Sequence, residues 1–193
     1  MLDQIIQFDH ELFTAINRGL SNSFFDWLMP LLRNRFLWSP LYLFIIIFLV
    51  RNYKKDGVIC ILFLLITFGM ADFFSSTVLK HAFERLRPCN EPGFNAEVIA
   101  RVACGSGFSF PSTHATNHFA IATFLIIIFY KRFKWILPLG LLWAFSIGFA
   151  QIYVGVHFPV DITAGALLGC MIGYITGTIF FTVRSEQKWH SGN

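Results

Sequence analysis

Five long apolar runs, at roughly residues 36–50, 58–79, 115–130, 135–155 and 160–182, constrain this chain more than any other feature. A membrane span needs about 20 apolar residues in a helix; the first and third runs are short as drawn and borrow flanking residues. A bilayer core offers no water to backbone amides, so only helices or closed barrels cross it. The runs lack the two-residue alternation of barrel strands and are read as helices. The composition agrees. The chain is 55% hydrophobic and 13% charged, with 24 Phe among 193 residues, against about 25% charged in a soluble domain. A soluble chain of this length could not hide so much apolar surface. The expected fold class is an all-α integral membrane protein, a bundle of about five transmembrane helices forming one domain over residues 1–193.

Residues 1–33 precede the first run. Leu2, Ile5, Ile6, Leu12, Phe13, Ile16 and Leu20 recur at helical spacing, which predicts an amphipathic helix lying at the bilayer surface. Ser21-Asn22-Ser23 breaks it. Residues 24–32, interrupted by Asp26 and Pro30, are too short to span and are expected at the interface or against the bundle. Asp3, Asp9 and Glu11 come too early for a cleavable signal.

Lys and Arg set the orientation. Arg51, Lys54 and Lys55 mark one loop, Lys131, Arg132 and Lys134 another, and Arg184 and Lys188 the tail. The positive-inside rule makes all three cytoplasmic, with the N-terminus outside and the C-terminus inside. The net charge of +4 therefore reads as helix anchoring, with no nucleic-acid partner. Residues 80–114 and the turn at 156–159 then share the outer face. Lys80, Arg85, Arg87 and Arg101 run against the inside bias there, which assigns them other work.

Three clusters meet on that face. In the first, Lys80 closes the second run and Arg87 follows before Pro88, while Asp72, Ser76 and Lys80 form a polar stripe at i, i+4 spacing. An intramembrane carboxylate such as Asp72 needs a partner or water. The second cluster, FPSTHATNHF at 110–119, has the signature of a helix start, whose free N–H groups favour an anion. Ser112 and Thr113 add hydroxyls, and His114 and His118 lie one turn apart. In the third, AQIYVGVHFPVD at 150–161, Asp161 can accept from one nitrogen of His157 and leave the other free. Singly, each cluster has an ordinary structural explanation: snorkelling cations, a helix cap, a loop histidine. A His-x-x-x-His metal pair at 114 and 118 lacks the intervening Glu of the zinc protease pattern.

Together the parts suit phosphoryl transfer through a covalent phosphohistidine. The combination resembles the type 2 phosphatidic acid phosphatase (PAP2) superfamily of membrane lipid phosphatases, whose pattern is Lys-x6-Arg-Pro, Pro-Ser-x-His, then Ser-Arg-x5-His-x3-Asp. Here these read Lys80…Arg87-Pro88, Pro111-Ser112-Thr113-His114 and Ala150-Gln151…His157…Asp161. The resemblance implies that His157 is the nucleophile, Asp161 its orienting carboxylate and His114 the proton donor to the leaving oxygen. Lys80, Arg87, Ser112 and Thr113 would hold the phosphate. It implies no metal and no cofactor. The substrate would be a phosphomonoester or diphosphate lipid at the outer face of a bacterial cytoplasmic membrane: undecaprenyl diphosphate, phosphatidic acid, phosphatidylglycerol phosphate or a lipid A phosphate. The compact five-span chain tilts the resemblance toward the undecaprenyl type.

One departure stands out. Gln151 occupies the position of the pattern's Arg, keeping hydrogen-bond donors but no charge and no guanidinium fork. Losing one such contact to a transition-state oxyanion costs about 3 kcal/mol. Activity would be reduced, retuned, or rescued by Arg85 or Arg101. A phosphotransferase and a non-catalytic lipid-phosphate binder are the alternatives. Cys60 and Cys170 fall in apolar runs, whereas Cys89 and Cys104 fall in the outer loop, where an oxidising exterior permits a disulfide. The sequence assigns no oligomeric state.

Overall fold

The computed structural model describes residues 2–184, 186 and 189; Lys188 of the tail lies outside them. Among the described residues seven α-helices follow in order: α1 (Leu2–Thr14), α2 (Ser23–Leu32), α3 (Ser39–Asp72), α4 (Lys80–Phe83), α5 (Thr113–Phe129), α6 (Ile136–Tyr153) and α7 (Pro159–Val183). Short π-helical turns extend α1 (Ala15–Gly19) and join α3 to α4 (Phe73–Leu79). The segments Arg35–Asn90, which contains α3, Ile136–Tyr153 and Pro159–Val183 are long and apolar enough to cross a membrane by length and composition. Thr113–Phe129 is a shorter apolar helix. Large side chains such as Phe44, Leu65, Leu142, Phe145, Leu167 and Tyr174 stand exposed around the bundle. So broad an apolar surface is that of a protein solvated by lipid.

The first two apolar runs form one folded-back helix pair. Lys54 sits at φ 49°, ψ −120°, outside the helical region, and divides α3 into two arms. Gly57 lets them close: a Cβ there would lie 2.1 Å from the Leu49 carbonyl oxygen. The arms run antiparallel. Tyr42 on the first approaches His118 and Asp72 on the second bonds Asn117, adjacent residues of α5.

Helix α5 is the centre. Most of its residues are buried, and it packs chiefly on α7, then on α6 and α3. Contact with α7 depends on a glycine stripe at Gly165, Gly169, Gly173 and Gly177. A Cβ on Gly165 would lie 2.7 Å from the Ser112 carbonyl oxygen, on Gly169 2.3 Å from that of Thr116, and on Gly173 2.4 Å from that of Ala120. Small residues at four-residue spacing let backbones approach where lipid supplies no hydrophobic drive. The Thr67 and Thr176 hydroxyls, 2.8 Å apart, tie α3 to α7 inside the bundle.

The ends of the bundle differ. At one, Arg184 pairs with Asp56 at 3.2 Å and Lys131 with Glu186 at 2.6 Å. There Trp189 stacks on Tyr53 and donates to the Ile128 carbonyl. The basic loops and the described tail thus gather on one side, and the three motif clusters lie at the other.

The N-terminal helix turns one stripe into the bundle and leaves apolar residues of the expected surface-lying side exposed. Its buried stripe is Asp9, Phe13 and Asn17, whereas Ile5, Ile6 and Leu12 are exposed. Helix α2 is started by Asn22, whose side chain accepts from the Phe25 N–H. It packs on the C-terminal turn of α6, with Met29 buried against Ala150, Tyr153 and Val154.

Candidate active site

A cavity of about 720 Å³ opens between the arms of α3, α5 and the 84–112 loop. Lys80, Arg87, Thr113, His114, Gln151 and His157 line one part; Ile45, Ile46, Ile61, Leu64, Leu65 and Phe68 line another. The polar part is assembled from the three separated motifs. The long apolar part follows the α3 arms inward.

Each polar group is held by its local chain. Phe158 and Pro159 begin α7, and the Asp161 carboxylate turns back to accept from the Phe158 N–H at 2.8 Å. That return brings Asp161 Oδ2 within 3.5 Å of His157 Nδ1, long for a hydrogen bond, while His157 lines the cavity. Burial pushes the His157 ring down to about 4, against the opposing pull of Asp161. The imidazole is therefore neutral at ordinary pH, the form in which a ring nitrogen is a nucleophile.

Arg85 secures Asp161. Its guanidinium donates to Asp161 Oδ1 at 2.8 Å and to Asp9 Oδ2 at 2.6 Å, lying over the Phe158 ring. Both carboxylates are buried, and the other Asp9 oxygen accepts from the Val160 N–H. Arg101 is also committed: it pairs with Asp26 and donates to the Asn17 and Tyr153 carbonyls and to Ser21. Neither arginine lines the cavity, which corrects the expectation that one of them replaces the motif Arg. Each is bound where burial of a carboxylate or of carbonyls demands a cation.

Lys80 and Arg87 do reach the cavity. Lys80 Nζ donates to the Phe108 carbonyl at 2.9 Å, and Arg87 Nε to that of Gly107 at 2.9 Å. Ser109 fixes this loop by bonding the Arg85 and Leu86 carbonyls. Ser112 does not line the cavity. It is fully buried as the α5 N-cap, its hydroxyl accepting from the Ala115 N–H and its own N–H donating to the Asp161 carbonyl. Thr113 keeps a buried hydroxyl without a partner and is the one that faces the cavity. Gln151 is fully buried with both amide atoms unpaired.

A second polar set lies along the same cavity. His118 Nδ1 is 2.8 Å from the His114 carbonyl, so it carries the proton, and Nε2 faces the Tyr42 hydroxyl at 3.4 Å. Asp72 accepts from Asn117 and from Ser76. Among the described residues no three His, Cys, Asp or Glu side chains form a metal-holding group. Cys89 and Cys104 are joined by a disulfide that closes the loop behind Arg87, with Cα atoms 6.1 Å apart.

Sequence reasoning missed Arg33, Tyr42 and Asn117 in the cavity wall and Asp9 behind Arg85. A carboxylate in register with Phe13 and Asn17 on α1 was the available signal for Asp9. Nothing local marks Arg33.

This arrangement of imidazoles, cations and an apolar-walled cleft belongs to a helical membrane phosphatase. The PAP2 superfamily pattern matches residues 57–185, and the chain belongs to that family. Several of its relatives are named phosphatases, and it is a hydrolase of that family. It is 33% identical to the lipid A 4'-phosphatase of Bacteroides thetaiotaomicron over 91% of this chain and 78% of that one. It is 28% identical to the undecaprenyl-diphosphatase of Sulfolobus acidocaldarius over 90% and 79%. The fold matches the crystal structure of a transmembrane PAP2-type phosphatidylglycerolphosphate phosphatase from Bacillus subtilis with a TM-score of 0.75, at 21% identity, covering 94% of this chain and 89% of that one.

Proposed function

We propose that this protein hydrolyses a phosphomonoester or diphosphate headgroup of a membrane lipid through a phosphohistidine. The observation that carries the reading is the cavity itself. His114, His157, Lys80 and Arg87 border the same space as a long aliphatic wall, so a phosphate can meet the imidazoles while its tail stays in hydrocarbon. Asp161 faces Nδ1 of His157, which leaves Nε2 to attack phosphorus. The P–O bond to the lipid breaks as the P–N bond forms, and the departing oxygen takes a proton from His114. Water then attacks the phosphohistidine, His114 accepts its proton, and His157 leaves with inorganic phosphate as product. Lys80, Arg87, the Thr113 hydroxyl and the N–H groups opening α5 stabilise the charge on the phosphate oxygens.

The two arms of α3 with α5, α6 and α7 support five crossings. The gathering of Lys131, Arg132, Arg184 and the Lys54 turn at one end favours that end as cytoplasmic. The site then lies at the outer face of a bacterial cytoplasmic membrane. Among the candidate lipids, the relatives favour a lipid A phosphate over the undecaprenyl type, and the polar set of Asp72, Asn117, His118 and Tyr42 suits a headgroup with hydroxyls or amides beyond its phosphate.

The test is phosphate release from lipid A, undecaprenyl diphosphate, phosphatidic acid and phosphatidylglycerol phosphate, beside His157→Ala. At least one lipid is hydrolysed by the wild type and none by the variant. Acid-quenched protein carries an acid-labile phosphate that the variant lacks. A variant that keeps the full rate, or a wild type inert on every lipid, ends this account.

A further inference from the structure

Gln151 leaves the motif without its guanidinium, and Arg85 and Arg101 are bound elsewhere. Yet two further arginines line the cavity from outside the three motifs: Arg35, exposed and lying against the Phe36 ring, and Arg33, half-buried. Arg33, the C-cap of α2, lines it together with Lys80, Arg87, His114, Gln151 and His157. We propose that Arg33 supplies the phosphate-binding guanidinium that position 151 lacks, so that α2 completes the site in trans to the third motif. The inference rests on the phosphatase reading above and adds a residue to it.

The packing of α2 explains the placement. Met29 is buried against Ala150, Tyr153 and Val154, the turn of α6 where the pattern carries Ser-Arg. Arg33 follows Met29 by four residues and so projects from the same face one turn on. The Trp38 indole N–H bonds the Leu32 carbonyl, and Asn34 accepts from the Phe36 N–H, so the exit from α2 is fixed on both sides of Arg33. Phe25 packs edge-to-face on Tyr153 and anchors the other end of α2 to the same turn. The helix lies against the turn of α6 that carries position 151.

The charge lacks a carboxylate. Arg33 has no ion pair among the described residues, unlike Arg85 and Arg101. Burial first, and then the charge of Arg87, lower its guanidinium below the ordinary value, and both cations line the cavity. Gln151 is the second, independent sign. Its amide is wholly buried, lines the cavity, and has neither oxygen nor nitrogen paired. A buried amide without partners and a half-buried guanidinium without a counter-ion, bordering one cavity, are satisfied together by a tetrahedral anion. Its oxygens would accept from Arg33, Arg87, Lys80 and the Gln151 NH₂. The Gln151 oxygen would accept from a protonated phosphate oxygen or from a headgroup hydroxyl.

The experiment is a double-variant cycle in detergent micelles, using the lipid hydrolysed fastest in the release screen and inorganic phosphate as the binding probe. Arg33→Gln lowers kcat/KM by about 10²-fold, the scale of one lost oxyanion donor, and abolishes the rise in Tm that inorganic phosphate gives the wild type. Arg33→Lys keeps the charge without the fork and falls between the two. Gln151→Arg in the wild-type background lowers kcat/KM, because it removes the amide donor and sets a second guanidinium beside Arg33. In the Arg33→Gln background it restores at least tenfold of the loss. An Arg33→Gln protein within twofold of wild type that still responds to phosphate overturns the proposal. So does a folded double variant no faster than Arg33→Gln, which would place Arg33 elsewhere than the missing position. Should Arg33→Gln not fold, Arg33→Lys with unaltered KM and phosphate response overturns it equally. Absence of hydrolysis by the wild type is a different failure, that of the enzymatic reading, and the phosphate-induced shift in Tm still reports on Arg33.

Discussion

Replacing Gly169 with Ala inserts one methyl group where α7 touches α5. The added Cβ would sit 2.3 Å from the Thr116 carbonyl oxygen, 2.9 Å from the Ala120 nitrogen and 3.0 Å from the Phe119 Cβ. Two of these atoms are backbone, which no rotamer change can move. Ordinary contact begins near 3.4 Å, so the helices must separate by about 1 Å. Thr116 lies in the turn after His114, and the Gly165 contact with Ser112 is one turn nearer the site. The separation is therefore transmitted to the spacing of His114, carried by α5, and His157, which precedes α7. A displacement of that size in a reacting pair costs about 10²-fold in rate, and the overpacking costs about 1–3 kcal/mol in stability. Gly177→Ala is the control. Its Cβ would meet only the side chain of Ile127, at 3.1–3.3 Å, far along the helix from the site. The assay is phosphate release with thermal unfolding in the same detergent. The expected result is a folded Gly169→Ala protein with kcat/KM reduced about a hundredfold, and a Gly177→Ala protein within threefold of wild type. A folded Gly169→Ala protein at wild-type rate refutes the claim that the glycine stripe sets the site's geometry.

Three further outcomes follow from the same structure. Arg85→Gln removes the cation between two carboxylates that are 1% and 0% exposed, and chemical unfolding should show a loss of about 3–5 kcal/mol. Reduction of Cys89–Cys104 frees the loop behind Arg87 and should lower stability by about 3 kcal/mol, seen as a fall in Tm with reductant that Cys89→Ser does not show. Because burial holds the His157 ring at about 4, its neutral, nucleophilic form persists as pH falls through 6.5. The acid limb of kcat/KM should then lie well below 6.5. Asp161→Asn removes the charge that opposes the shift, so the limb moves lower still as the rate drops; an acid limb at 6.5 or above contradicts this.

What could be read from the chain alone divides along a physical line. The apolar runs, the helix starts at Pro111 and Pro159 and the basic turns are local signals, and the helices form where those signals stand. Lys80, Arg87, Thr113, His114, Gln151 and His157 share one cavity, and their order and spacing had already set them together by resemblance. The readings that needed revision concern partners far apart in sequence. Ser112 has the chemistry of a phosphate ligand and of an N-cap, and only packing shows that it caps α5. Arg85 looked available until Asp9, 76 residues away, closed its second ion pair. Arg33 enters because α2 lies on α6, and a ten-residue apolar piece interrupted by Pro30 carries no mark of that docking. The glycine stripe went unread in the sequence, because a four-residue spacing acquires meaning only from the helix that lies opposite.

The Asp9–Arg85–Asp161 chain has a consequence for where this protein begins as a working unit. The family pattern starts at residue 57, yet a carboxylate from the first helix helps to seat the arginine that steadies Asp161. The boundary traced by likeness is thus narrower than the boundary of mechanical support. A fusion that lifted α1 from the bundle would keep every matched residue and still take from Arg85 the Asp9 carboxylate, which lies well before the matched region at 57–185.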